Sequence, residues 1–434
     1  MPRLRRIVTA AWADPFTRWM GVVLVVATVV RVAWVVYAAQ PPVGVHDPFF
    51  YEQAATRLAS GDGYTLPNGD PTAYYPVGYP AALAAVVWFT THTPIPDNIP
   101  VAAGMLNAFL GVVTVAMLGV LGSWLVGKRV GLIAAALAAV FPNQVFYTAT
   151  MLSETLFNAL LVGVLVLLVW RGERGLPWTR LLVAGVVLGL AVLTRPVALA
   201  VVPFAGVAWW IARAGWRRAL RDALLLTGGT ALVIVPWTVR NLVRMGEPVL
   251  ISTNTGDNLC IAHNPQATGA FQLPDYCFAD VPERETTEDE LRRDRTLRGR
   301  ALEYLVEHPH EEIPLVWWRA FYTYNTDDDG LRAVESYDED PFLGARQRSV
   351  LATVANGFYF GVFALALLGL PALWSRADAR RLLFLAFLAA MAVAPLVFFG
   401  DPRFKLPFTL LCVLPAAITL GAVRSIRQSA LSAG

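Results

Sequence analysis

The sequence predicts an all-α polytopic membrane protein with about ten transmembrane helices, outer-face juxtamembrane helices and a small extracytoplasmic subdomain of helix and loop. Three observations predict it. Of the 434 residues, 56% are hydrophobic and only 15% charged, and a mean hydropathy of +0.51 is too apolar for a soluble chain of this length. Ten apolar runs approach the roughly 20 residues that a spanning helix needs: 17–39, 99–126, 130–148, 152–170, 180–194, 197–212, 222–238, 350–373, 381–399 and 404–423. The basic residues fall in short clusters between those runs, and no basic stripe marks a nucleic-acid surface.

Taken in order, "MPRLRR" resembles a signal-peptide start, but the run 17–39 is too long for its apolar region and no A-x-A site follows, so it reads as a retained first span. The run 77–91 is short and carries Gly78 and Pro80 near its start. If it does not cross, one side of the membrane receives Arg3, Arg5, Arg6, Lys128, Arg129, Arg171, Arg174, Arg180, Arg213, Arg217, Arg218, Arg221, Arg376, Arg380, Arg381, Arg424 and Arg427. That side is the cytoplasmic one. If it crossed, the N-terminal cluster would oppose all the others. The expectation is therefore a re-entrant or interfacial helix with both termini cytoplasmic. An N-terminal transmembrane module, 1–238, then carries the first outer loop, 40–98. An extracytoplasmic subdomain follows over 239–349, and C-terminal helices over 350–434.

On this topology the outer face also holds Ser153 and Glu154, the turn at Arg195 and Pro196, and "GDPRFK" at 400–405. Asp47 before Pro48 reads as a helix N-cap, with Gly61 as the stop. Ser153 likewise can cap a span, with Glu154 complementing the helix dipole. The cations are more informative, because the orientation rule gives no reason for them outside. Arg195, Arg240, Arg244, Arg403 and Lys405 point either to an anionic ligand or to snorkelling toward headgroups. Arg31, inside the first span, needs a polar cavity or a carboxylate such as Asp47 or Glu154.

The outer stretch 239–349 carries Asn254, Asn258 and Asn264, which can bind hydroxyl-rich ligands and are equally turn formers. Thr287 with Glu290 reads as a capping box for a charged helix reaching about residue 307. Trp317, Trp318, Phe321, Tyr322 and Tyr324 fit an interfacial aromatic belt. Cys260 and Cys277 share the oxidising side and can pair, whereas Cys412 lies in the last span. There is no Walker loop, H-E-x-x-H, G-x-S-x-G or internal repeat.

The ordered set "HDPFFYEQAATRLASGDGY…PTAYYPVGYPAAL", "LSETLF", "LTRPVAL", "PWTVRNLV…ISTNTGDNLCIAHNP…TG" and "DPRFKLPF" resembles the bacterial C-type membrane glycosyltransferases, related to protein O-mannosyltransferases and lipid A aminoarabinose transferase. The resemblance runs from about Arg31 to about Leu410. It implies inverting transfer of a sugar from a polyprenyl-phosphate donor to an acceptor hydroxyl, on a protein, a glycolipid or a wall polysaccharide, outside the cytoplasmic membrane. It implies Asp47 as general base. His46 stands where family members often have a second acidic residue.

The residue types suit that chemistry. A sugar hydroxyl needs a carboxylate to take its proton, an effect worth roughly a hundredfold to ten-thousandfold, and a departing lipid phosphate needs fixed cations. Catalytic candidates are Asp47, His46 and Glu154. Candidates to hold the donor phosphate are Arg195, Arg240, Arg403, Lys405 and Arg31, and candidates to contact substrate are Tyr51, Tyr75, Asn241, Asn258 and Asn264. A divalent cation is possible in such a family, but no ligand set here demands one. Membrane lipids are expected partners, and nucleic acid is not. Two other readings stay open: a lipid-linked sugar transporter or flippase, and a non-catalytic assembly protein retaining the fold.

Overall fold

The computed structural model describes residues 14–93, 98–170, 176–375 and 378–432. Arg3, Arg5, Arg6, Arg171, Arg174 and Arg376 lie outside the described residues, as do the side chains of Arg213, Arg424 and Arg427. Among the described residues the chain forms helices and two isolated bridges but no strand.

Helix α1 (Pro15–Ala38) is the first apolar span. It is followed by α2 (Asp47–Ser60), stopped by Gly61 at φ 88°, and by the short α3 (Gly78–His92). Asn98 caps α4 (Ile99–Leu125) by accepting from the Val101 N–H at 3.1 Å. Helix α5 (Lys128–Ala139) ends before Pro142, which cannot continue the hydrogen-bond ladder, and α6 (Pro142–Phe146) resumes after a 59° bend. Helices α7 (Glu154–Val169), α8 (Trp178–Thr194), α9 (Val201–Trp209) and α10 (Trp216–Met245) complete the first half. The stretch that follows folds into α11 (Thr255–Ala262), α12 (Asp275–Phe278), α13 (Thr287–Glu307), α14 (Glu312–Tyr324) and α15 (Asp329–Val334). Apolar helices α16 (Ala345–Trp374), α17 (Ala379–Val393) and α18 (Leu406–Ser432) close the chain.

The chain is an all-α multi-pass membrane protein, with fewer full spans than the ten expected. Among the described residues six helices are long and apolar enough to cross, or seven if the bent α5–α6 pair is one span. Glu154–Val169 and Trp178–Thr194 are apolar but have only 16 and 17 residues. At about 1.5 Å per residue they fall short of a ~30 Å hydrocarbon core.

One large core joins the spans, with Leu118, Leu165, Leu188, Phe384 and Leu411 enclosed. A smaller one sets Tyr51, Tyr79, Leu83 and Val87 of α2 and α3 against Tyr147, Leu152 and Leu406. This second core holds the start of α2 beside the segments that lead into α7 and α18. Cys260 and Cys277 form a disulfide packed on Leu297 and Ala301 of α13.

The capping box of α13 lies one residue earlier than expected. Thr286 accepts from the Asp289 N–H at 3.2 Å and donates to the Asp289 carboxylate at 2.7 Å. Thr287 and Glu290 are thereby free for tertiary work. Thr287 donates to the Pro71 carbonyl at 2.6 Å.

Candidate active site

Asp47 is the first residue of α2, and the N-cap position is His46, whose carbonyl accepts from the Phe49 N–H at 3.1 Å. No side chain caps this helix, so the capping role expected of Asp47 is not the one it fills. Pro48 offers no N–H, and a guanidinium is a stronger partner for a carboxylate than a single backbone amide. Asp47 Oδ2 accepts from Arg403 Nη1 at 2.9 Å and Oδ1 accepts from the Tyr75 hydroxyl at 2.8 Å. The two charged side chains keep 22% and 21% exposure, which leaves the pair reachable. Burial pushes the Asp47 carboxyl up, but Arg403, the Tyr75 hydroxyl and Arg195 outweigh it and hold it below the ordinary carboxylate value. Asp47 is therefore ionised at neutral pH.

Arg403 lies in a 3₁₀ turn, Pro402–Lys405, opened by Asp401, whose carboxylate accepts from the Arg403 N–H at 2.9 Å. Its Nη1 is also 3.4 Å from the Tyr337 hydroxyl. Its Nε has no hydrogen-bond partner among the described residues and lies 4.0 Å from Glu154 Oε1. Glu154, the first residue of α7 and 3% exposed, pairs with Arg195 through Oε1, while its Oε2 is buried without a partner. Ser153 does not make the cap expected of it; its hydroxyl accepts from Arg195 Nη1 at 3.3 Å. The Phe404 ring sits near both guanidiniums, 5.6 Å from Arg195 and 5.4 Å from Arg403.

Tyrosines wall this cluster. Tyr51 meets Tyr75 edge-on at 5.0 Å and Tyr79 at 5.4 Å. Tyr337 packs on the His46 ring at 5.0 Å from a run of three non-glycine residues, Ser336 to Asp338, with φ of 50°, 56° and 77°. Such backbone costs on the order of 1–2 kcal/mol per residue and persists only where its surroundings hold it. Here Ser336 accepts from the Val43 N–H at 3.0 Å, Glu335 accepts from the Leu343 N–H at 2.8 Å, and Asp338 pairs with Arg332 at 3.0 Å and Arg348 at 2.7 Å.

Other expected site residues go elsewhere. His46 pairs with Glu339 at 2.9 Å. Arg240 donates to the Thr72 carbonyl at 2.7 Å, to the Tyr64 carbonyl and to Asn241 Oδ1 at 3.0 Å, and so ties down the loop between α2 and α3. Asn241 donates in turn to the Val249 carbonyl at 2.9 Å. Lys405 is fully enclosed between Asp327 at 3.1 Å, the Thr326 carbonyl and the Pro402 carbonyl at 3.1 Å. Arg31 faces neither expected carboxylate. It donates to the Ala139 and Ala138 carbonyls at 2.7 and 3.1 Å, the C-terminal acceptors that the α5 break leaves open. Asn264 folds its amide onto the Cys260 carbonyl at 2.7 Å and the Gln266 N–H at 2.8 Å, a turn former's arrangement. Asn258 lies half-buried in α11, where its N–H continues the helix.

The structure thus brings together Asp47, Glu154, Arg195, Arg403, Tyr75 and Tyr51. Sequence reasoning missed Tyr337 and Asp401. Asp401 had a signal, standing next to the Pro-Arg of "GDPRFK"; Tyr337 had none, since its place depends on the left-handed run. Among the described residues no three His, Cys, Asp or Glu side chains are placed to hold a metal ion. The two cluster carboxylates each face an arginine.

The family model for dolichyl-phosphate-mannose-protein mannosyltransferase matches residues 81–239, which include Glu154 and Arg195 but not Asp47 or Arg403. Archaeal oligosaccharyltransferase AglB from Archaeoglobus fulgidus, solved with an inhibitory peptide and a dolichol-phosphate, aligns with a TM-score of 0.57 at 15% identity over 97% of this chain and 52% of its own. The same organism's enzyme tethered to an acceptor peptide aligns at 0.54 and 15% identity, over 95% and 50%. ArnT from Cupriavidus metallidurans bound to undecaprenyl phosphate gives 0.44 at 16% identity, over 94% and 78%. The chain spans about half the length of the oligosaccharyltransferase chains. No curated protein matches its sequence. The resemblance to the C-type membrane glycosyltransferases is borne out by the family model and by a fold shared along nearly the whole chain.

Proposed function

We propose that the chain is an inverting glycosyltransferase that moves a sugar from a polyprenyl-phosphate donor to an acceptor hydroxyl at the outer face of the cytoplasmic membrane. The observation that carries this reading is the meeting of Asp47, Arg403, Glu154 and Arg195, drawn from four remote segments, in one partly reachable cluster. The match to a mannosyltransferase family and the likeness to an oligosaccharyltransferase holding dolichol-phosphate support the general reaction. The outer placement rests on the sidedness of the basic clusters and agrees with the Cys260–Cys277 disulfide. It keeps both termini inside, and divides the chain at about 238 and 349.

In the resting cluster Arg403 occupies Asp47. A donor phosphate presents oxygens that compete for the guanidinium, and Arg403 Nε, 4.0 Å from Glu154 Oε1, makes no hydrogen bond among the described residues. As the guanidinium turns to the phosphate, Asp47 Oδ2 becomes free to accept. The acceptor oxygen then bonds to the anomeric carbon from the face opposite the phosphate, Asp47 takes its proton, and the lipid phosphate leaves with the electrons of the broken bond. Arg403 and Arg195 stabilise the charge that it gains. Tyr75 keeps the carboxylate oriented through the other oxygen, and Glu154 holds Arg195.

Mass spectrometry of polyprenyl-phosphate sugars in cells lacking the gene tests this. One such lipid accumulates on deletion and is cleared by the wild-type chain but not by Asp47→Asn. Absence of any accumulation removes the donor class. Clearance by Asp47→Asn removes the base, and is also what a transporter would give.

A further inference from the structure

A cavity of about 480 Å³ opens in the outer subdomain between the Asn264–Thr268 loop, the end of α13 and one face of α14. We infer that it is a saccharide-binding subsite that receives the acceptor, whose part in transfer rests on the glycosyltransferase reading while its sugar chemistry does not.

Its position comes first. The loop and α14 are clamped to the segment that carries Arg403: the Gly400 N–H donates to the Gly269 carbonyl at 2.7 Å. A Cβ on Gly400 would lie 2.7 Å from Tyr322 Cβ, and one on Gly269, at φ +87°, would lie 2.6 Å from Trp318 Cβ. Only glycine permits both approaches. Arg403 lies three positions after Gly400, at most about 11 Å of chain, so the wall of the cavity is tied to the segment that carries the reacting cluster.

Its chemistry selects a neutral, hydroxyl-rich ligand. The Trp318 and Tyr322 rings, 6.1 Å apart and inclined by 33°, offer apolar faces, and Trp318 is 45% exposed. The Trp318 indole N–H and the Tyr322 hydroxyl donate to no described side chain or backbone group, and the Glu311 carboxylate, which lines the cavity, holds Tyr304 through Oε2 and has Oε1 4.0 Å from His310 Nε2. No Lys or Arg lines the cavity, so a phosphate headgroup has no counter-charge, and an acyl chain would strand these polar groups. A pyranose or furanose ring has an apolar face to stack and a rim of hydroxyls to bond, which is the combination such a mixed pocket selects. An aromatic belt accounts for the next stripe of α14, where Ile313, Trp317 and Phe321 are 76%, 71% and 48% exposed at four-residue spacing. It does not account for Trp318 and Tyr322, which turn into the cavity.

The test uses the full chain in nanodiscs and saturation-transfer NMR. The probes are neutral hexose and pentose methyl glycosides, their di- and trisaccharides free and on an octyl chain, and a Ser/Thr-rich decapeptide. A free oligosaccharide or its alkyl glycoside binds, the preference between them telling a polysaccharide from a glycolipid source. Trp318→Ala weakens binding about tenfold, and Glu311→Gln, which leaves the aromatic packing intact, about threefold. Trp317→Ala and Asp47→Asn leave it unchanged. Binding by no saccharide, binding by the peptide alone, or saccharide binding indifferent to both Trp318→Ala and Glu311→Gln overturns the proposal. Asp47→Asn transfer activity judges the catalytic reading separately, because that variant retains the cavity.

Discussion

Glu154 and Glu290 stand in the first turns of α7 and α13 and are buried to 3% and 1% exposure, but their surroundings differ in kind. Glu290 is saturated by neutral donors of the chain: Thr72 at 2.5 Å, the Ala73 N–H at 2.9 Å and Thr253 at 2.7 Å. Arg240, which grips the same loop, spends its guanidinium on carbonyls and an amide. In the other region Glu154 and Arg403 face opposite charges, and each keeps one buried polar atom unmatched. A charge whose partners are fixed neutral groups acts as a fastener. A charge facing an exchangeable charge, with a spare donor or acceptor beside it, can trade partners with a ligand.

The largest expected effect separates the two regions by rate. Asp47→Asn lowers transfer by roughly a hundredfold to ten-thousandfold, read as initial rate per folded molecule with a lipid-linked donor. Glu290→Gln leaves that rate essentially intact. An equal loss from Glu290→Gln erases the distinction.

Next comes binding against stability. Arg403→Ala removes charge-assisted hydrogen bonds of about 1.5–3 kcal/mol to the donor, so affinity for a polyprenyl phosphate falls tenfold or more. Arg240→Ala leaves that affinity in place. It instead strands buried carbonyls of the loop between α2 and α3 at about 1–3 kcal/mol, visible as a lower midpoint of thermal unfolding. Reversed outcomes would make Arg240 the phosphate ligand.

How much of this contrast was legible follows from what each rule measures. The orientation rule flags Arg195, Arg240 and Arg403 alike, because it sees only which side a cation occupies. Whether a carbonyl or a carboxylate lies opposite is decided by how the loop between α2 and α3 returns over α10, which no local pattern contains. Asp47 was found through its motif but given the wrong local role, since Asp-Pro reads as a cap unless a remote guanidinium competes. The "TTEDE" stretch holds two overlapping boxes; the fold uses Thr286 with Asp289 and frees Glu290 for the loop. Hydropathy found every apolar run, but not that Pro142 breaks one and that α7 and α8 are short.

The smallest expected effect lies in pH, where the two regions shift in opposite directions. Burial raises the Glu290 carboxyl more than Thr72, Ala73 and Thr253 lower it. Its stabilising contribution is therefore complete below the ordinary glutamate value of about 4.3 and is lost as pH rises through the raised one. Asp47 has the opposite sign, contributing above the ordinary aspartate value of about 3.9 and losing that contribution as pH falls through its lowered one. As pH falls through the raised Glu290 value, acidification thus tightens the loop fastener while Asp47, held below its ordinary value, stays charged. Relative to wild type, Glu290→Gln should reduce the rise in unfolding midpoint on acidification, and Asp47→Asn should leave it unchanged in that range. The same opposition reaches the kinetics. The acid limb of kcat/KM, which reports the free enzyme, lies below about pH 4. In the donor complex Arg403 is shared with phosphate, so burial acts on Asp47 with less opposition, and the limb of kcat moves upward. Coincident limbs would mean that Arg403 never leaves Asp47 for the donor, and the cluster would then be a fastener like the other.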